Sequence, residues 1–184
     1  YKVTEEPGKV FKYLSGNTEL LAFVLEKATG KKISDYLSEK LWIPMGAKNT
    51  AYWSMDNNGN EKAYCCFNSN ALDFARFGEL FLKNGNWKGK QLVPEQFVKE
   101  SVVPAPLVDE AGKENKKYGY SWWMMNYKQH NIFYARGILG QYILVIPDKN
   151  MIVVRLGKKR KKDEGDDHPA DVFVYLDAAL EMYK

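Results

Sequence analysis

Phe11-Lys12-Tyr13-Leu14-Ser15-Gly16-Asn17 runs directly into the apolar segment 18–29. The segment reads as a helix, because Leu20, Leu21, Val24, Leu25 and Ala28 recur at the three-and-four spacing of one buried face. Asn17 or Thr18 can cap its start, and Gly30 stands where a C-terminal cap belongs. A tyrosine with a small hydroxyl residue two positions later thus lies at the mouth of a helix. Taken alone, Tyr13 is one of 12 tyrosines, and such a residue ordinarily packs its ring and leaves its hydroxyl at the surface. Ser15 reads equally well as a turn or helix-start residue.

Outward from that stretch the chain divides into a helical part, 1–101, and a strand-rich part, 118–184. A short helix is expected over 34–42 and is stopped by Pro44. Another is expected over 70–84, with Leu72, Ala75, Phe77, Leu80 and Phe81 inward and Asp73 favouring the N-terminal dipole. Pro94 opens a further short helix, ending near Ser101. Residues 118–127 are aromatic and strand-like. The β-rich runs 132–135, 141–146 and 151–156 follow, with Pro147-Asp148-Lys149-Asn150 as a hairpin connection. Consecutive short connections imply antiparallel pairing. A charged loop, 158–167, precedes a last helix with Pro169 in its first turn and Val172, Tyr175, Leu176, Ala179 and Tyr183 on one face. Helices, then sheet, then a covering helix make the fold class α+β: an antiparallel sheet flanked by helices.

Composition excludes several functions. Lys+Arg 27 against Asp+Glu 23 leaves only +4, too little to indicate a nucleic-acid partner. No apolar run is long enough for a membrane span. His130 and His168 have no metal-ligand company, and they fit a Ser-His-Asp triad poorly. Cys65 and Cys66 form no zinc-type spacing. Adjacent cysteines do not easily meet ordinary disulfide geometry, so two small buried thiols are expected.

Three stretches, in order, resemble the β-lactamase-related serine hydrolases, a family that includes class C β-lactamases, penicillin-binding carboxypeptidases, esterases and nylon-oligomer hydrolases. The first is 11–30. The second is Tyr64-Cys65-Cys66-Phe67 through Asp73-Phe74-Ala75-Arg76-Phe77-Gly78-Glu79-Leu80, continued by Asn84-Gly85-Asn86-Trp87-Lys88-Gly89. The third is Tyr118-Gly119-Tyr120-Ser121-Trp122-Trp123, then Ala135-Arg136-Gly137-Ile138-Leu139-Gly140-Gln141, then Val145-Ile146-Pro147-Asp148. The resemblance implies a β-lactamase/penicillin-binding fold and acyl-enzyme chemistry on a small ester or amide, with no metal or cofactor. Family members carry Ser-x-x-Lys before the tyrosine motif, and none of the residues before Tyr13 is a serine. Residues 1–184 are therefore expected to be the C-terminal portion of one such domain, inactive alone. The serine and lysine would come from an upstream segment or a companion chain. Members are often exported or in the cell envelope; the residues here leave the compartment open.

The resemblance also assigns roles. A serine is a weak nucleophile until a base takes its proton. By resemblance Tyr13 is that base, acting with the motif lysine. A free tyrosine, with a pKa of about 10, needs cations nearby to do so. Ser15 stands where many members have a substrate-binding asparagine. Gly137 matches the glycine of the K-T-G or H-x-G strand motif, so the Ile138 N–H would be one oxyanion-hole donor. Ala135 stands where many members have Lys or His, and this departure favours an esterase or amide hydrolase over a strong β-lactamase. Strand alternation turns Arg136 away from Ala135. Trp122 is the candidate cleft tryptophan, since at most one of Trp122 and Trp123 can face the substrate. Gln141 either lines the site or faces solvent. The second reading on the same scaffold is a binding or regulatory protein without turnover, which lacks the upstream Ser-x-x-Lys.

Overall fold

The computed structural model describes residues 6–160 and 167–183, so part of the charged loop, 161–166, lies outside the described residues. The first helix, α1, is Ser15–Thr29, and Gly30 closes it in the left-handed conformation at φ 68°. It begins earlier than its apolar pattern predicts: Leu14 is the N-cap, and no side chain caps it. The expected apolar face also differs. Only Ala22 of this helix is buried, while Leu20, Leu21 and Val24 are exposed. The periodicity is real, but no described element covers that stripe. The α1 helix is tied down instead by Glu19, whose carboxylate accepts the Ala63 N–H at 2.9 Å.

The next helix, α2 (Ile33–Leu37), runs on as a π-helical turn, Ser38–Trp42, ahead of Pro44. The short strands β1 (Tyr52–Trp53) and β2 (Phe67–Asn68) pair antiparallel and hold the loop between them. Helix α3 (Ala71–Leu82) is capped by Asn70, whose side chain accepts the Asp73 N–H. Leu72, expected inward, is 71% exposed; Leu80 and Phe81 are the buried residues of its apolar face. A small ribbon, β3 (Asn86–Trp87) with β4 (Lys90–Gln91), leads to α4 (Glu95–Ser101).

The principal sheet is β5 (Trp123–Tyr127), β6 (His130–Arg136), β7 (Gln141–Ile146) and β8 (Met151–Leu156), antiparallel and in chain order. The aromatic run 118–127 thus contributes a fourth strand from its second half. Both faces are covered, as the unbroken apolar run of β7 requires. On one face α3 packs Phe77 and Phe81 against Trp122, Met124, Phe133 and Val145. On the other, α5 (Ala170–Met182) packs Val172 and Leu176 against Ile132, Tyr134, Tyr142, Leu144 and Ile146. Each fully buried Leu or Ile contributes roughly 2 kcal/mol through apolar burial. Gly78 sets the α3 contact: a Cβ there would lie 2.9 Å from Ile143 Cγ2 and 3.1 Å from Ile152 Cγ2. Among the described residues, β8 pairs only with β7 and is a sheet edge.

Candidate active site

Tyr13 is placed by the backbone on either side of it. The Phe11 N–H donates to the Val108 carbonyl at 2.7 Å, and α1 begins two residues after the tyrosine, at Ser15. Between these anchors the Tyr13 ring meets two others. Its centroid is 5.5 Å from that of Tyr118, edge-on, and 5.4 Å from that of Trp123. Tyr118 and Trp123 themselves meet at 5.0 Å. Such edge-to-face aromatic contacts fix ring orientation as well as burying area. Tyr13 remains 57% exposed at this edge. Burial pushes the Tyr118 hydroxyl up to about 12, with the neighbouring Tyr13 adding to the shift.

Trp123 carries the contact onward. The Arg136 guanidinium carbon sits 4.8 Å from its ring centroid, and Arg136 Nη1 donates to the Asp167 carbonyl at 3.0 Å. Arg136 thus shares a sheet face with Trp123 and Tyr134, whereas Ala135 packs toward the α3 cluster. Trp122 requires a correction. It is only 4% exposed and stacks among Phe77, Phe81 and Phe133 in the core. The tryptophan beside Tyr13 is Trp123, because alternation along the chain turns the two rings to opposite sides of the sheet.

The glycine-bearing turn lies at the end of β6. Gly137 N–H donates to the Gln141 carbonyl at 2.7 Å and Gly140 N–H to the Gly137 carbonyl at 3.2 Å. Leu139 N–H donates to Gln141 Oε1 at 3.1 Å, and Gln141 Nε2 donates to the Gly157 carbonyl. Gly137 is needed for close approach: a Cβ there would lie 2.4 Å from Gln141 Oε1. Gln141 therefore braces the turn. Among the described residues, no group accepts a hydrogen bond from the Ile138 N–H. Ile138 itself is 79% exposed. A turn whose other amides are engaged and whose central amide is not is suited to receive an anionic oxygen.

A cavity of about 320 Å³ opens beside this turn, and Ala135, Arg136, Gly137 and Gln141 all line it. Tyr64, Cys65, Cys66, Trp53 and Phe74 line it as well. Four of the predicted site residues thus share one cavity. Tyr13 and Ser15 belong to the adjoining edge, and the two regions meet through Arg136 and Trp123. The cysteines also differ from expectation. They form a disulfide with each other, at a Cα separation of 3.8 Å, and Cys66 is exposed rather than buried. Cys66 has φ 68°, a left-handed conformation unusual for a non-glycine residue, and the bond overturns the expectation of two free thiols drawn from ordinary disulfide geometry. Periodicity gave no signal for that bond, and Tyr118 carried none as a partner of Tyr13.

The chain matches the Beta-lactamase family over residues 2–176. It is 28% identical to the 6-aminohexanoate-dimer hydrolase of Paenarthrobacter ureafaciens over 176 residues, which cover 92% of this chain and 44% of that protein. A solved Bacillus anthracis structure, described provisionally as a 6-aminohexanoate-dimer hydrolase, superposes with a TM-score of 0.84 at 29% identity, covering 99% of this chain and 46% of the other. A beta-lactamase from Mycobacterium bovis shares the fold, with a TM-score of 0.75 at 20% identity, covering 99% and 68%. The chain spans about half the length of the two hydrolases. With its family match over nearly the whole length, its α+β architecture and its tyrosine and glycine motifs at one end of the sheet, the chain belongs to the β-lactamase-related hydrolases.

Proposed function

We propose that this chain is the tyrosine- and oxyanion-bearing part of a serine hydrolase that acts through an acyl-enzyme on a small ester or amide. The observation that carries the reading is the Ile138 N–H, unengaged among the described residues in a braced turn at the same end of the sheet as Tyr13. The nucleophilic serine and its lysine belong, in this reading, to a Ser-x-x-Lys segment upstream or on a companion chain. The exposed α1 residues Leu20, Leu21 and Val24 and the unpaired side of β8 support such a partner, since apolar stripes and sheet edges are ordinarily covered.

The serine oxygen attacks the substrate carbonyl while Tyr13, with the lysine, takes its proton. The oxygen of the tetrahedral intermediate becomes anionic and accepts from the Ile138 N–H. The proton then passes to the leaving alcohol or amine. Water deacylates the serine by the same route in reverse. Ala135 offers no cation at the position where many members have Lys or His, so small esters and linear amides are preferred over β-lactams. The name of the Paenarthrobacter relative makes an aminohexanoate dimer the first amide to assay.

The second reading, a binding or regulatory protein without turnover, is favoured by the same Ala135, which removes a cation that would assist Tyr13. Intact-mass spectrometry of the complete protein with a fluorophosphonate separates the two. An adduct that forms on its serine supports the hydrolase. No adduct on any species, with no ester turnover, supports the binding protein. The isolated 1–184 chain is expected to be inactive.

A further inference from the structure

The Cys65–Cys66 disulfide lines the same cavity as Gly137 and Gln141, and neither the oxyanion chemistry nor the tyrosine edge accounts for it. The backbone around it is held independently. Trp53 Nε1 donates to the Cys65 carbonyl at 3.0 Å, and the Ser54 N–H and Asn68 Nδ2 both donate to the Cys66 carbonyl, at 3.1 Å and 2.8 Å. Those bonds hold the two carbonyls, while the disulfide joins the two side chains of residues that line the cavity. Cys66 is exposed, so a soluble thiol can reach the pair. Its left-handed backbone is a conformation that few non-glycine residues hold without an added restraint.

We propose that this disulfide is a redox-sensitive wall of the acyl-binding cavity, fixing which substrate chains fit beside Gly137 and Gln141. This rests on the hydrolase reading above. A small dithiol supplies the reducing equivalents. Its thiolate attacks one sulfur, the S–S bond breaks, one cysteine is freed and the other is held in a mixed disulfide; the second thiol of the dithiol then attacks that mixed disulfide and displaces the cysteine still bound in it. Cys65 and Cys66 each end as a thiol carrying one proton from the dithiol, which leaves as its cyclic disulfide. Once reduced, the pair is two independent side chains. The Cys65–Cys66 unit is then released from the ring, the cavity widens on that side, and longer acyl chains are accommodated.

The test uses the complete protein with a small dithiol and with monothiol-blocked controls. Reduction is verified by alkylation and mass. The ratio of kcat/KM for p-nitrophenyl octanoate to that for the butyrate should rise by about fourfold on reduction, the fold-change of roughly one methylene's burial. The double variant C65S/C66S should start at the reduced ratio and ignore the dithiol. A verified reduction that leaves the ratio unchanged, or a double variant that still responds, overturns the proposal. Should the protein turn over no ester, the hydrolase reading has failed and the wall is tested without it. Acrylamide quenching of Trp53, taken as the difference between wild type and Trp53→Phe, should roughly double on reduction as the wall opens. Unchanged quenching overturns the proposal.

Discussion

Arg136 lies with its guanidinium carbon 4.8 Å from the ring centroid of Trp123, and the same ring touches Tyr13 at 5.4 Å. A cation is therefore held one aromatic ring away from the tyrosine, although strand alternation turns Arg136 away from Ala135. The stack fixes the Trp123 ring from one side, and Tyr118 and Tyr13 meet it from others. Trp123 thus packs against Tyr13, and Arg136 steadies it through a cation–π contact; in the proposed mechanism that makes it a positioning residue.

The two adjacent tryptophans should separate cleanly by mutation. If Tyr13 is the base, as proposed, Trp123→Leu in the complete protein is expected to lower kcat by about tenfold with a small change in KM, because small misplacements of a base are costly. Trp122→Leu empties part of the α3 core instead and should lower stability by about 3 kcal/mol while leaving kcat near wild type. Steady-state kinetics beside urea unfolding reads both; reversed outcomes would move the site to the other face.

Gln141 braces the turn through Leu139 and Gly157. Gln141→Ala should leave the fold intact and loosen the Ile138 amide. If the Ile138 N–H is the oxyanion donor, as proposed, about a tenfold loss in kcat is expected, less than its outright deletion. Glutamate at the same position keeps the acceptor for Leu139 and should recover part of the loss. Equal losses for both variants would mean the brace is not what matters.

The strands of the main sheet were legible because their period and turn chemistry agree: β7 and β8 fall on the predicted runs, and Asn150 takes the left-handed turn position at φ 47°. The tyrosine and glycine motifs were legible as types at an order and spacing. What periodicity could not supply was which side of an element meets a partner. Leu72 and the α1 leucines carry apolar side chains outward, and the choice between Trp122 and Trp123 needs the sheet register that pairs Trp123 with Tyr134. The disulfide is invisible for a different reason. It joins adjacent residues, one of them with a left-handed φ, and no hydrophobic pattern encodes either feature.

Asp73 anchors α3 to the preceding loop. Its buried carboxylate accepts from Lys48 N–H at 3.0 Å, Asn49 N–H at 3.1 Å and Arg76 Nη1 at 2.6 Å. Burial pushes the carboxyl up, but the hydrogen bonds from Lys48, Asn70 and Asn49 outweigh it and hold the group down at about 2, against an ordinary 3.8. A depressed folded value means that the unfolded chain binds the proton first. The stabilisation is complete above the ordinary value and is lost as pH falls through about 2. Asp73→Ala should cost about 3 kcal/mol at neutral pH and flatten the acid limb of the stability profile. Urea midpoints across the acid range give the comparison, and an unaltered acid limb would contradict the assignment.

Tyr118 has the opposite sign. Burial first, and then the neighbouring Tyr13, push its hydroxyl up to about 12 from an ordinary 10.0. The folded protein therefore favours the neutral phenol. Its contribution is fully present below the ordinary value and is lost as pH rises through about 12. Burial, and then the hydrogen bond to Asp171, do the same for Tyr142, also to about 12, and the hydrogen bond to Asp177 raises Tyr127, so these phenols should titrate late by absorbance. Tyr118→Phe should remove one of them and leave the alkaline limb of stability shallower. Because Phe keeps the ring that packs against Tyr13 and Trp123, turnover at neutral pH should fall by no more than about threefold. A larger fall would make the Tyr118 hydroxyl, and not its ring, the group that serves Tyr13.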